Sequence, residues 1–341
     1  MENKITYLLG AGASKECLPI VKEIPDALTE FLKEMKIPKY RLSEDIKFED
    51  LGISQSKGQI QRHFWDSMQW LITNIADHSS IDTFAKKLFI TKKTPELIKL
   101  KACMTIYFVY TQLKKPVDKR YDSFIAALIN PSKLKHNLPS NLRILSWNYD
   151  FQFEKAYSFY RNINSLIECQ AFLNVSPADI TSYNDIFSLY KLNGTTGYYT
   201  TTFQDLLNVI DDLSMAPSVN TIEALIKYYA AMTMDKTRYR SMISFAWEDN
   251  SISNEVIDQA TRNTSDSQVL IVIGYSFPFF NREIDRKIIG EMKQLKKVYF
   301  QAPGQESKNY IDRFSAIRTD SNSLNLIPIS DVDQFYLPPE L

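Results

Sequence analysis

Short apolar runs that stop at glycine or asparagine punctuate this chain, and long stretches of helical period lie between them. Ile5–Leu9 (ITYLL) is closed by Gly10-Ala11-Gly12-Ala13-Ser14, the profile of a strand buried on both faces. Leu142–Trp147, Phe187–Leu192, Val269–Ile273 and Lys297–Gln301 repeat that profile. They stop at Asn148-Tyr149-Asp150, Asn193-Gly194, Gly274-Tyr275-Ser276-Phe277 and Ala302-Pro303-Gly304. Cys169–Val175 and Ser241–Trp247 read as further strands. By contrast, Ile60, Phe64, Met68, Leu71, Ile72 and Ile75 recur at three- and four-residue steps and mark one helix face. Residues 96–113, 121–129, 203–234, 253–263 and 281–294 also read as helical, and no strand pattern occurs between Thr29 and Leu138. Strands alternating with helices predict an α/β fold: a Rossmann-like doubly wound parallel sheet with a large α-helical insertion. The expected division is 1–28 and 139–330 for the sheet domain, 29–138 for the insertion, 203–234 for a second helical segment and 331–341 for a C-terminal tail.

Composition narrows the function classes. With 44% hydrophobic and 13% aromatic residues, the 341-residue chain buries a sizeable core. Forty basic residues balance forty acidic ones, so no general basic excess exists to hold a nucleic-acid backbone. Contact with nucleic acid is therefore expected only through a partner. Cys17, Cys103 and Cys169 are odd in number and far apart, against both a disulfide framework and a four-cysteine zinc site. No apolar stretch is long enough to span a membrane, and the expected compartment is the cytoplasm. Glycine is scarce, nine in the whole chain, yet Gly10, Gly12, Gly194, Gly197 and Gly274 all follow apolar or β-prone runs. Strand ends are where open α/β sheets bind ligands.

The first glycine turn is half of a dinucleotide fingerprint. Small residues let a backbone approach a pyrophosphate, and amides at a helix start favour its charge. Lys15 occupies the third glycine position, and the acidic residue that should close a second strand is missing, so an ordinary dehydrogenase is disfavoured. Taken alone, the turn equally suits a tight strand-to-helix connection, and Asn148 equally suits a helix cap.

Four segments taken in order, Gly10–Ser14, Ser146-Trp147-Asn148-Tyr149-Asp150, Lys191-Leu192-Asn193-Gly194 and Gly274-Tyr275-Ser276-Phe277, resemble the sirtuin-like family. The likeness runs from Tyr7 to about Gln301 and is to the bacterial NAD-hydrolysing branch found in anti-phage defence systems. Deacylase-type sirtuins carry a four-cysteine zinc ribbon that three cysteines cannot build. The resemblance implies NAD+ as substrate, with no metal. It implies that Gly10, Ala11, Gly12, Ala13 and Ser14 cradle the pyrophosphate, and that Pro19 lies on a loop over the nicotinamide ribose. Asn148 corresponds to the catalytic asparagine that holds that ribose and the attacking water, within the Ser146-Trp147 strand end. Asp150 would support it. Gly274, Tyr275 and Ser276 would line the adenosine half, and Gln301 and Ala302 its adenine edge.

One position departs from the pattern. The family's Leu-His-Gly reads Leu192-Asn193-Gly194 here. Histidine serves as general base there, whereas an amide fills similar space but accepts no proton at neutral pH. Asn193 is either an introduced substitution or a natural loss of the base. None of His63, His78 and His136 is an evident replacement. Three functions are therefore expected to compete: an NAD+ glycohydrolase effector that depletes NAD+ on infection, a sensor that binds NAD+ or ADP-ribose without turnover, and an interaction subunit. By the same resemblance, the chain would form a homo-oligomer. It would also answer to a separately encoded sensor, an Argonaute-type protein or a ring ATPase, since Leu341 follows soon after the sheet.

Overall fold

The computed structural model describes residues 3–132, 138–178, 186–201, 205–235, 238–318 and 320–341. Its strands, in chain order, are β1 (Ile5–Leu9), β2 (Leu142–Ser146), β3 (Val175–Ser176), β4 (Ser188–Lys191), β5 (Gly197–Thr200), β6 (Leu206–Asn208), β7 (Tyr239–Ser241), β8 (Val269–Ile273), β9 (Lys297–Gln301) and β10 (Asn325–Ile329). Seven of them form one parallel sheet in the order β10-β9-β8-β1-β2-β4-β3. This is the expected doubly wound α/β arrangement. Residues in β1, β2, β4 and β8 are buried throughout, which is why these strands read as apolar runs rather than as alternation.

The chain divides into two compact units. The first, 1–16, 117–195 and 244–341, contains the seven-stranded sheet. From β1 the chain builds one side through β2, β3 and β4, then passes to β8 on the other side of β1. That reversal opens a crevice beside the carboxyl end of β1, the usual ligand position in such sheets. Helices Lys119–Leu128, Gln152–Arg161, Ser251–Thr264, Arg282–Glu291 and Glu306–Ser315 connect the strands. The 331–341 segment belongs to this unit: Phe335 is buried edge-on against Tyr121 (4.9 Å) and Phe124 (5.6 Å).

The second unit, 17–116 and 196–243, gathers helices Ile24–Met35, Lys57–Ile75, Ile81–Ile90, Thr94–Lys114 and Val219–Met234 with a small antiparallel sheet, β6-β5-β7. Thr94–Lys114 is buried on every side from Ala102 to Leu113, as befits the central helix of a bundle. Tyr228 on Val219–Met234 reaches its Thr105 hydroxyl at 3.1 Å.

Three sequence expectations need correction. Cys169–Val175 is not a strand: helix Leu166–Phe172, capped by the Ser165 hydroxyl on the Glu168 amide, takes most of it and only Val175–Ser176 pairs. A short apolar run carries no period that separates the two states. The 203–234 stretch is helical only from Val219, where Ser218 caps it, and Leu206–Asn208 pairs instead as β6; Phe203 lies outside the described residues. In Ser241–Trp247 the pairing ends at Ser241.

Candidate functional site

Four strand ends meet at the crevice. The turn after β1 and the turn after β8 cross with their backbones in contact: the Gly10 amide donates to Ile273 O and the Gly12 amide to Gly274 O, both at 3.0 Å. A Cβ on Gly12 would stand 2.7 Å from Gly274 Cα, and one on Gly274, at φ +58°, would stand 2.5 Å from the Gly12 backbone. The glycines thus answer first to this crossing. With the Ala13 amide bonded to Gly10 O (2.9 Å), three amides of the expected phosphate cradle are engaged by the protein itself. The expected helix start is a four-residue 3-10 turn, Ala11–Ser14, in which Ala11 and Gly12 stay half-exposed.

Ser14 is the hub of the site. Its hydroxyl, buried to 1% exposure, donates to Asp150 Oδ2 at 2.6 Å, which fixes its one proton and leaves two lone pairs. One accepts from Asn148 Nδ2 (3.2 Å), the other from the Tyr121 hydroxyl (2.9 Å). Burial and the nearby Asp150 carboxylate push the Tyr121 phenol well above its ordinary pKa, so it stays a donor. Asp150 also accepts the Gln152 amide (3.2 Å). Behind the turn, the Arg120 guanidinium donates to Ala13 O (3.1 Å) and to Asp118. Burial opposes the Arg120 charge, but the Asp118 carboxylate more than offsets it and raises its pKa.

Asn148 does not cap a helix. Helix Gln152–Arg161 has Phe151 at its N-cap, without a side-chain bond. Instead Asn148 Nδ2 donates to Gly10 O (2.9 Å) and to Ser14 Oγ, and only the nitrogen can face a carbonyl oxygen. Both amide protons are used, so the group left for a ligand is the acceptor Oδ1. Asn193 is oriented by one such bond: Nδ2 donates to Trp147 O (3.2 Å), while its buried Oδ1 has no protein partner. Gly194 follows at φ +77° and turns the chain back, its amide on Lys191 O (3.0 Å). Ser146 Oγ accepts the Asn148 amide (3.2 Å). Below these loops Lys191 Nζ, 1% exposed, donates to Asp150 O (2.6 Å) and pairs with buried Glu154 (3.3 Å). Burial raises the Glu154 pKa against the pull of Lys191.

No protein-family model and no curated protein matches this chain. Among solved structures, a Sir2 homologue–NAD complex is similar at 13% identity, over 93% of this chain and 91% of that one, with a TM-score of 0.39. Sir2Tm bound to a propionylated peptide is similar at 9% identity, over 97% and 88%, with a TM-score of 0.42. A Sir2 homologue mutant–ADP-ribose complex is similar at 14% identity, over 94% of each chain, with a TM-score of 0.38. Likeness this low leaves the chemistry of this chain to its own atoms.

The remaining expected site residues divide. Trp147 and Tyr275 are buried and stacked on each other (6.0 Å, 14°). The Tyr275 hydroxyl donates to buried Asp285 (2.7 Å), whose pKa burial pushes up to about 8. Gly274 and Ser276 stay half-exposed at the end of β8. Gln301 stands beside Gly274, whose amide donates to its carbonyl (3.1 Å), but its side chain is engaged elsewhere: Nε2 donates to Asp331 O and Gln334 O, both 2.6 Å, and Oε1 accepts the Tyr336 amide (3.0 Å). Every polar atom of that side chain holds the C-terminal segment. Ala302 is buried with its amide on Ile329 O (3.1 Å). Pro19, His63 and His78 belong to the helical unit, and His136 lies outside the described residues. Sequence reasoning missed Tyr121, Arg120 and Asp118. Only Asp118 left a trace, as an acidic cap ahead of helix Lys119–Leu128.

Proposed function

We propose that the sheet unit binds NAD+ as a sirtuin-like site, and that the chain is an NAD+ glycohydrolase effector of bacterial anti-phage defence with its general base replaced by Asn193. The observation that carries the reading is the meeting of Gly10–Ser14, Asn148–Asp150 and Asn193–Gly194 with Asn148 bonded to Gly10 and Ser14. Asn148 Oδ1 and Asn193 Oδ1 are acceptors, chemistry suited to hydroxyl donors such as a ribose or a water.

In this reading Ala11 and Gly12 border the pyrophosphate, and Gly274 and Ser276 border the adenosine. Nicotinamide leaves with the electron pair of its glycosidic bond, positive charge develops on the ribose, and water adds to give ADP-ribose and a proton. Asn148 orients ribose and water, while Ser14 and Asp150 hold Asn148 in place. Asn193 takes no proton, and a missing general base lowers the rate by about 10²–10⁴-fold. By the same likeness the effector acts as a homo-oligomer under a separately encoded sensor. One observation favours a second reading, a sensor that binds without turnover: position 193 offers the site a neutral amide, which takes up no proton.

Nicotinamide release by this chain and by Asn193→His decides between them. The glycohydrolase reading expects release to rise by about 10²-fold or more in the histidine variant. Saturable NAD+ binding with no release from either protein gives the site to the sensor, and absence of binding removes NAD+ from both.

A further inference from the structure

The two turns that cross at the crevice are both held from outside by one stretch of chain that the proposed reaction does not use, the 331–341 segment after β10. Phe335 in this segment is buried, and its ring meets both residues that hold the Gly10–Ser14 turn. It stands edge-on to the Tyr121 ring (4.9 Å), whose hydroxyl bonds Ser14 Oγ (2.9 Å). The Arg120 guanidinium, which donates to Ala13 O (3.1 Å), lies over the Phe335 ring at 5.7 Å. The Gly274 turn is tied to the same segment through Gln301. The Gln301 carbonyl accepts the Gly274 amide (3.1 Å), and its side chain binds the backbone of Asp331, Gln334 and Tyr336.

The segment is fastened along its length. The Tyr7 hydroxyl of β1 donates to Tyr336 O (2.8 Å), the Tyr299 ring of β9 meets that of Tyr336 at 4.7 Å, and Lys297 pairs with Glu340. Phe335 is thus seated by the strands beneath it. An edge-on ring pair and a cation over a ring each have a preferred geometry, so a seated Phe335 restricts where the Tyr121 hydroxyl and the Arg120 guanidinium point. Those two groups fix Ser14 and Ala13, neighbours in the turn.

We propose that Phe335 is a positioning residue of the nucleotide site and that the 331–341 segment is its clasp. With Phe335 seated, Tyr121 and Arg120 hold Ala13 and Ser14 in the binding geometry; lifting it loosens the turn and lowers nucleotide affinity. The assignment rests on the NAD+ reading and adds a regulation to it: by linkage, bound nucleotide holds the segment down by the same factor.

Calorimetric titration of the full chain with ADP-ribose, and hydrogen exchange of the 333–337 amides with and without it, test this. Phe335→Leu keeps an apolar side chain and removes the ring. It is expected to weaken ADP-ribose about 3- to 10-fold, the size of one lost edge-on ring contact. Val269→Ala, buried at the amino end of β8 and so at the edge of the sheet opposite the crevice, is expected to lower stability and leave the affinity unchanged. Unchanged affinity in Phe335→Leu overturns the assignment, and so does an equal loss in Val269→Ala, which would make Phe335 a residue of the fold. The exchange measurement needs no variant: saturating ADP-ribose is expected to slow the 333–337 amides at least about 3-fold more than those of helix Ser251–Thr264. No slowing, or the same slowing throughout the sheet unit, overturns the clasp. If the parent chain does not bind ADP-ribose, the NAD+ reading itself falls; if it binds and Phe335→Leu binds as tightly, only the role of Phe335 falls.

Discussion

Replacing Ser14 by alanine removes the hub on which Asn148, Asp150 and Tyr121 converge, and the cost follows from what each partner loses. Asp150 loses a hydrogen bond to a carboxylate, worth about 1.5–3 kcal/mol. The Tyr121 hydroxyl, buried and held protonated, is left without its acceptor at about 1–3 kcal/mol more. Ser14→Ala should therefore cost about 2.5–6 kcal/mol. Tyr121→Phe should cost only about 0.5–1.5 kcal/mol, because the Ser14 oxygen still accepts from Asn148. The double variant separates contact from coincidence. With the phenol gone there is no orphaned donor, so the pair should cost no more than Ser14→Ala alone, a coupling of about 1 kcal/mol or more. Urea titrations at unchanged m-value measure all three. Strict additivity of the two single costs would mean that Tyr121 and Ser14 do not share a proton, and the hub would be wrong.

Two further outcomes test the surroundings of the site. Asp285 has its folded pKa raised by burial to about 8 from 3.8, so the fold binds its proton more tightly than the unfolded chain does. Its contribution is full below the unfolded value and is lost as pH rises through about 8. The urea midpoint should fall over that window, and Asp285→Asn should flatten the fall; an unchanged slope refutes the assignment. Lys191→Met strands buried Glu154 and frees the Asp150 carbonyl. Loss of one partner of such a pair costs about 3–5 kcal/mol, and the added change Glu154→Gln should recover part of it in the same titration.

Several elements were legible from the chain alone because burial on both faces writes itself as an apolar run. Ile5–Leu9, Leu142–Ser146 and Val269–Ile273 are central parallel strands, and each is recognisable without a partner in view. β10 was not: Asn325–Ile329 is an edge strand, half-exposed and interrupted by Pro328, and edges tolerate residues that blur the pattern. Cys169–Val175 misled for the opposite reason, since a short apolar run fits a buried helix as well as a strand.

The site divides along the same line. Gly10–Ser14, Asn148, Asp150 and Asn193 stand at strand ends, and strand ends in a parallel sheet must share one edge. The local pattern therefore determined that these residues meet. What the Gln301 side chain does, why Gly12 and Gly274 are glycine, and that Tyr121 joins Asn148 through Ser14 were decided only by tertiary structure. Each of those depends on which atoms are hydrogen-bonded or in contact across 30 residues of chain or more. A one-dimensional pattern records burial and period, whereas a proton shared between Tyr121 and Ser14 depends on distance and direction in the folded chain.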